Sequence, residues 1–277
     1  ELVASAAAAQ RKMAMVHNYH FLPEYRQIKQ MLAKGVVGDL RVVTLHFLGV
    51  IDYPGAAEYQ SDWRHTMVAG GGVLMDMIHA VYLAEWLVGE EARQVMAFVD
   101  APEYAHRQPA IEDLALLQIA FPSAYVVIHM AWGEGVGGAD ISGSEGQIRM
   151  RYKQYQSGGF NQPIELYSID ANWERSDHAI ANREEHLDAV ADSFTALYAD
   201  FRDAIRLDRE PMAPAAAGAR ALEIVLGAYE SAVTGRVVRL PLDRAGPVYK
   251  KGIDGLVDLE IWEHSKTKAA GLFGLRP

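Results

Sequence analysis

The 277-residue chain has no cysteine. That absence removes disulfide frameworks, thiolate metal sites and cysteine nucleophiles, and it fits a reducing, cytoplasmic setting. Long hydrophobic runs are also missing. The most apolar stretch, AYVVIHMAW from Ala124 to Trp132, ends well short of the roughly 18 to 20 residues needed to cross a bilayer. No membrane partner is therefore expected. Positive charge is in deficit, with 26 basic against 36 acidic residues and a formal charge of −10. No basic stripe is left to neutralise a phosphate backbone, so nucleic acid is not an expected partner. The opening ELVASAAAAQ lacks the basic start and long apolar core of a secretory signal. It reads as the middle of an amphipathic helix, with the natural start expected upstream. Internal repeats and a Gly/Pro/Ser-rich linker are absent as well.

What is present is an ordinary globular composition, half hydrophobic and 22% charged. Residues 2–11 have helix-forming composition, and KMAMVHNY reads as a buried strand with a polar end. A helix should open at Pro23 and end at Gly35. LRVVTLHFLGV alternates as a long strand, and VLMDMIHAVYLAEWLV reads as a single helix capped by Gly89. The segments RQVMAFV, EDLALLQIAF, AYVVIHMAW, GQIRMRY and IELYSI then follow without helices between them, which predicts an antiparallel sheet with a tight hairpin at Phe121-Pro122-Ser123. Residues 184–208 and 214–234 return to helical periodicity, and the stretch from Asp243 reads as an extended, partly wrapped tail. The expected class is α+β, not doubly wound.

Gly133-Glu134-Gly135-Val136-Gly137-Gly138 has the spacing of a dinucleotide fingerprint. No helix follows it whose N-terminus could meet a pyrophosphate, so a glycine-rich turn within the sheet is the expectation. Ten histidines invite a metal reading, but no recognised metal spacing occurs and none is expected. His46, His106, His129 and His264 read as ordinary strand or surface residues.

Asp76 and His79 are one acid and one imidazole in an otherwise apolar segment, three residues apart and so on one helical face. A carboxylate beside a histidine suits general acid/base work near neutral pH. Two satisfied polar groups on a half-exposed helix would give the same spacing. His17-Asn18-Tyr19-His20 sits where an apolar strand should end, a common place for ligands. Trp63 and Arg64, with His65, offer an aromatic surface and a cation suited to a sugar or nicotinamide ring.

The order VHNYHFLPEY, KGVVGDL, DWR, AGGGVLMDMIHAVYLAEWLVG and LEIVLGAYESAVTGRVVRLPL resembles successive landmarks of the Gfo/Idh/MocA oxidoreductases. The resemblance implies an open, mainly antiparallel sheet with helices on one face, spanning residues 21–242. It also implies a remnant of a Rossmann domain at 1–20 and a tail at 243–277. It implies catalytic His79 and Asp76, and substrate contacts from His17, Asn18, Tyr19, Trp63 and Arg64. The reaction would pass hydride between NAD or NADP and a secondary alcohol or ketone of a sugar, polyol or related molecule. The cofactor and the family's Glu-Lys-Pro lysine would be held by a dinucleotide-binding domain expected upstream of Glu1, leaving this chain alone inactive. A homodimer or homotetramer through the sheet is implied. Tyr82 stands where the family commonly has an aspartate, and His20 where it commonly has an arginine. A non-redox binding or dimerisation module, and an NAD-using glycoside hydrolase or lyase of the same family, are the competing expectations.

Overall fold

The computed structural model describes residues 1–50, 71–101, 111–132, 136–153, 160–168, 174–180 and 183–262. Trp63, Arg64, His106 and His264 lie outside them. Nine strands form one sheet: β1 (Leu40–Val50), β2 (Gln94–Asp100), β3 (Leu114–Ala120), β4 (Tyr125–Trp132), β5 (Val136–Gly143), β6 (Gly146–Lys153), β7 (Phe160–Ser168), β8 (Glu174–Ile180) and β9 (Val238–Arg239). Their order is β8-β7-β6-β5-β1-β4-β3-β2-β9. The β1–β4 pair is parallel and every other pair antiparallel. The long chain between β1 and β4 makes that crossover possible, since a parallel partner cannot follow a tight turn.

Period-two alternation decides which face is covered. Val43, Leu45 and Phe47 of β1 and Val126, Ile128 and Met130 of β4 are fully or almost fully buried. On the opposite face Val42, Phe98, Leu116 and Tyr125 are exposed. The covering layer consists of α3 (Val73–Asp76), α4 (Ile78–Val88) and α6 (Ala215–Thr234). α4 is apolar nearly all round and correspondingly buried, as a helix inside a core must be. α1 (Leu2–Ala8) has no buried residue. α2 (Pro23–Ala33) starts on its proline, and α5 (Arg183–Arg206) precedes α6. Among the described residues no helix is long and apolar enough to cross a membrane.

Four sequence expectations change. Residues 13–16 form no strand of the sheet: Met15 N–H donates to Ala213 O at 2.8 Å and Ala215 N–H to Met13 O at 3.1 Å, leaving one isolated bridge. A short hydrophobic run without period-two alternation satisfies its backbone there against the start of α6. The single helix expected over 73–88 is two, interrupted at Met77 (φ −94°, ψ 30°). The tail is not extended: α7 (Pro247–Lys251) leads into a 3-10 helix at Gly252–Asp258 that buries Leu256.

The fourth change concerns the glycine motif, whose last three residues open β5 instead of forming a turn; its first three lie outside the described residues. Gly138 has φ +145°, and a Cβ there would lie 2.1 Å from Met150 O on β6. Gly138 thus permits close strand approach, a backbone reason unrelated to phosphate. Gly138→Ala should lower stability by about 2 kcal/mol or more, through strain plus the strand displacement it forces. Urea denaturation would measure it, and a change under about 0.5 kcal/mol would contradict the close β5–β6 contact.

Candidate active site

The site is assembled on the apolar segment that enters α3 and leaves along α4. Gly72, at φ +108°, turns the chain into α3, and a Cβ at this position would overlap the Glu112 carboxyl at 2.1 Å from Oε1. Glu112, just before β3, is completely buried. Its backbone carbonyl accepts from Val73 N–H at 3.1 Å. Its Oε1 accepts from Leu74 N–H at 3.2 Å and from the Tyr229 hydroxyl of α6 at 2.6 Å. Two donors left over at the start of α3 are thereby satisfied, as a helix N-terminus requires. Burial raises the Glu112 carboxyl to about 7 despite these bonds, so it is largely protonated below neutrality.

Asp76 ends α3. Its Oδ2 accepts from Trp132 Nε1–H on β4 at 3.3 Å. His79 is in the first turn of α4, where Nδ1 lies 2.7 Å from the Tyr82 hydroxyl. The break at Met77 places Asp76 and His79 on successive helices, so helical spacing alone does not fix their relation. The hydrogen-bond partner seen at the His79 ring is a phenol.

The 3-10 turn Asn18–Phe21 closes over α4. Tyr19 stacks on His79 with ring centroids 4.4 Å apart and planes 12° off parallel. His17 stacks on Tyr82 at 3.9 Å, and His20 on Trp86 at 4.7 Å. Tyr19 N–H donates to Tyr82 Oη at 3.2 Å. Asn18 points elsewhere: Nδ2–H donates to Ser193 Oγ of α5 at 3.3 Å, so it tethers the turn to that helix. The sequence-predicted His17, Tyr19 and His79 thus converge on one aromatic cluster and Asn18 supports it from behind. Trp132, Glu112 and Tyr229 were not foreseen, and Tyr82 was noted only as a departure from the family pattern. Tyr82 had a legible signal, being three residues from His79 on one helix; the others join through the sheet and left none.

Electrostatically the cluster is neutral. Desolvation lowers His79 to about 4, with His17 adding to the effect. It lowers His17 to about 4 and His20 to about 3. All three are therefore uncharged imidazoles at neutral pH. A cavity of about 420 Å³ opens beside His79, walled by Met15, Val16, Ile78, Tyr82 and Leu222. A mainly apolar wall with two imidazoles, His17 and His79, suits a flat ring. Of the fingerprint-like glycines, Gly138 is taken up by the close β5–β6 contact.

The sequence profile described as "Oxidoreductase family, C-terminal alpha/beta domain" matches residues 29–240. The dTDP-3,4-didehydro-2,6-dideoxy-alpha-D-glucose 3-reductase of Actinomadura kijaniata is 30% identical over 95 residues, covering 33% of this chain and 27% of the reductase. The chain thus spans only about a quarter of that relative's length. The aldose-aldose oxidoreductase of Caulobacter crescentus, solved with glycerol, superposes with a TM-score of 0.69 at 23% identity, covering 86% of this chain and 67% of that one. The WlbA dehydrogenase of Bordetella pertussis, solved with NADH and UDP-GlcNAcA, gives 0.66 at 21% identity, covering 87% and 68%. At these identities the two structures speak for the fold.

Glu112 provides a test with a definite sign. Its folded-state value of about 7 exceeds the ordinary 4.5, so the folded chain holds an extra proton between those values and loses stability as pH rises through that window. Glu112→Gln cannot ionise. Its stability relative to wild type should therefore climb by roughly 3 kcal/mol from about pH 4.5 to above pH 7. The difference cancels the histidines common to both proteins. Parallel denaturation curves at the two ends of the window would sink the buried-acid reading.

Proposed function

The chain belongs to the Gfo/Idh/MocA oxidoreductase family, and on that premise we propose that it forms the substrate-side part of an enzyme interconverting a secondary alcohol and a ketone on a sugar, polyol or similar small molecule. NAD or NADP, when bound, supplies or takes up the hydride at its nicotinamide ring. The observation that carries the reading is His79: a desolvated, neutral imidazole stacked under Tyr19 at the edge of an apolar cavity. Removing hydride from a secondary alcohol requires its O–H proton to leave, and the reverse reaction requires one to arrive. His79 handles that proton at the substrate oxygen.

Asp76, held by Trp132 Nε1–H, positions a substrate hydroxyl. Tyr19 covers the imidazole and keeps water from it. His17 acts through its stack on Tyr82, and Asn18 through its tether to α5. Trp63 and Arg64 complete the proposed substrate contacts. The glycerol and UDP-GlcNAcA complexes of the similar structures favour a hydroxyl-rich substrate.

With a dinucleotide-binding domain in the same polypeptide, His79→Ala should lower kcat by about 10²- to 10⁴-fold while the thermal transition stays in place. NAD(P)H absorbance against a panel of ketoses and polyols reads it. Unchanged turnover would reject the role of His79. The open face of the sheet, with Phe98, Leu116 and Tyr125 exposed, is proposed to pair with a second copy. Phe98→Asp should halve the mass measured by light scattering, whereas a wild-type monomer would refute the pairing.

A further inference from the structure

The hydrogen bonds around Tyr82 determine which nitrogen of His79 carries the proton. Tyr82 is 2% exposed, so leaving its hydroxyl proton without an acceptor would cost free energy. Among the described residues two contacts reach its oxygen: Tyr19 N–H at 3.2 Å, which can only donate, and His79 Nδ1 at 2.7 Å. The backbone N–H occupies one lone pair of the phenol oxygen. His79 Nδ1 is then the one acceptor in reach among the described residues, and the short distance fits an O–H···N bond. The opposite arrangement, with Nδ1–H donating, gives the oxygen two donors and leaves the buried phenolic proton without an acceptor.

We infer that Tyr82 is a positioning residue that donates to Nδ1 and so fixes His79 as the neutral Nε2–H tautomer. The stack of His17 on one side of the phenol, 3.9 Å away and 10° from parallel, holds the ring in the plane this bond requires. The stack of Tyr19 on the imidazole prevents the ring from turning over to exchange its nitrogens. The nitrogen offered to a ligand in the 420 Å³ cavity is consequently a donor. The resting site is built to receive a hydrogen-bond acceptor, such as the carbonyl oxygen of a ketone, before any proton moves.

A carboxylate at position 82 would do the reverse. As an acceptor it would draw the proton to Nδ1 and leave Nε2 with a bare lone pair. The phenol therefore selects the form that donates a hydrogen bond to a carbonyl oxygen; passing the Nε2 proton on requires the Tyr82 hydroxyl proton to move onto Nδ1 in the same event. That this form matters for turnover rests on the proton-handling role proposed above for His79. The form itself is independent of that role.

The experiment is nitrogen NMR on the folded chain, with selectively ¹⁵N-labelled histidine at neutral pH. His79 should show a pyridine-type Nδ1 and a pyrrole-type Nε2, with a slowly exchanging Tyr82 hydroxyl proton coupled to Nδ1. Tyr82→Phe keeps the ring and its stack. It should remove the coupled proton and move Nδ1 toward the value of an unbonded ring nitrogen, with about a tenfold loss of tautomer preference. A protonated Nδ1 in the wild type overturns the inference whatever the variant does. Identical His79 shifts in wild type and Tyr82→Phe overturn it as well. If His79→Ala leaves turnover unchanged, the role of His79 fails while the tautomer stands, so the two failures are distinguishable.

Discussion

The Glu112 carboxyl is the point on which the site depends. It lies where the sheet, the glycine turn and the late helix meet, and each contact is geometrically exclusive. Gly72 must be glycine because the carboxyl occupies the volume of a Cβ. Tyr229 must be long enough to cross from α6. Two N–H groups in the first turn of α3, those of Val73 and Leu74, are met by the backbone and side-chain oxygens of one residue. A four-residue helix has almost no stability of its own, because nucleation fixes several residues for one hydrogen bond. External bonds at its start are what hold it, and with it the position of Asp76.

From that anchor the chain proceeds through Met77 into α4, and the energetics change from hydrogen bonding to exclusion of water. α4 offers an apolar surface on nearly all sides, and the polar groups it carries are handled individually. Glu85 meets Arg220 of α6 at 3.3 Å. The last carbonyls, of Trp86 and Leu87, accept from Lys29 of α2 at 2.5 and 3.2 Å. The imidazoles around Tyr82 are neutral because burial penalises their charged forms. Stacking the rings of His17, Tyr19 and His20 on those of Tyr82, His79 and Trp86 therefore does two things: it orders the 3-10 turn above α4, and it removes positive charge from the place where a substrate oxygen would sit.

Much of this was legible in the sequence, and the limits have physical causes. The alternation of LRVVTLHFLGV marked β1 as a strand because a half-covered strand must alternate, and AYVVIHMAW was legible as a strand of the sheet. Pro23 and Gly89 marked helix ends because their backbone preferences are local. The parallel pairing of β1 with β4 was not legible, since it depends on a distant partner. Nor was β5, whose glycines resemble a turn in composition although Gly138 serves close approach to β6. His46 looked ordinary, yet it reaches Asp140 at 3.2 Å, and the same carboxylate pairs with Arg149 and Arg151. That ion cluster joins three strands of the open face. At the site, His79, His17 and Tyr19 could be named from the landmarks, whereas Glu112 is one acid before an apolar strand and no local pattern distinguishes it.

The departure at position 82 then acquires a chemical meaning. A carboxylate and a phenol both hold an imidazole by Nδ1, but they sit on opposite sides of the donor–acceptor divide. At neutral pH a carboxylate accepts, whereas a buried phenol whose oxygen already takes a backbone N–H is left to donate. Its own ionisation is driven well upward by burial, so in the resting site the phenol is neutral. His79 in turn is held far from protonation by desolvation. With both partners confined to their neutral forms, direction is the one remaining freedom of the bond between them. The Tyr19 amide removes that freedom. A backbone group, contributed by the turn that also covers the imidazole, thus sets the character of the nitrogen that faces the cavity.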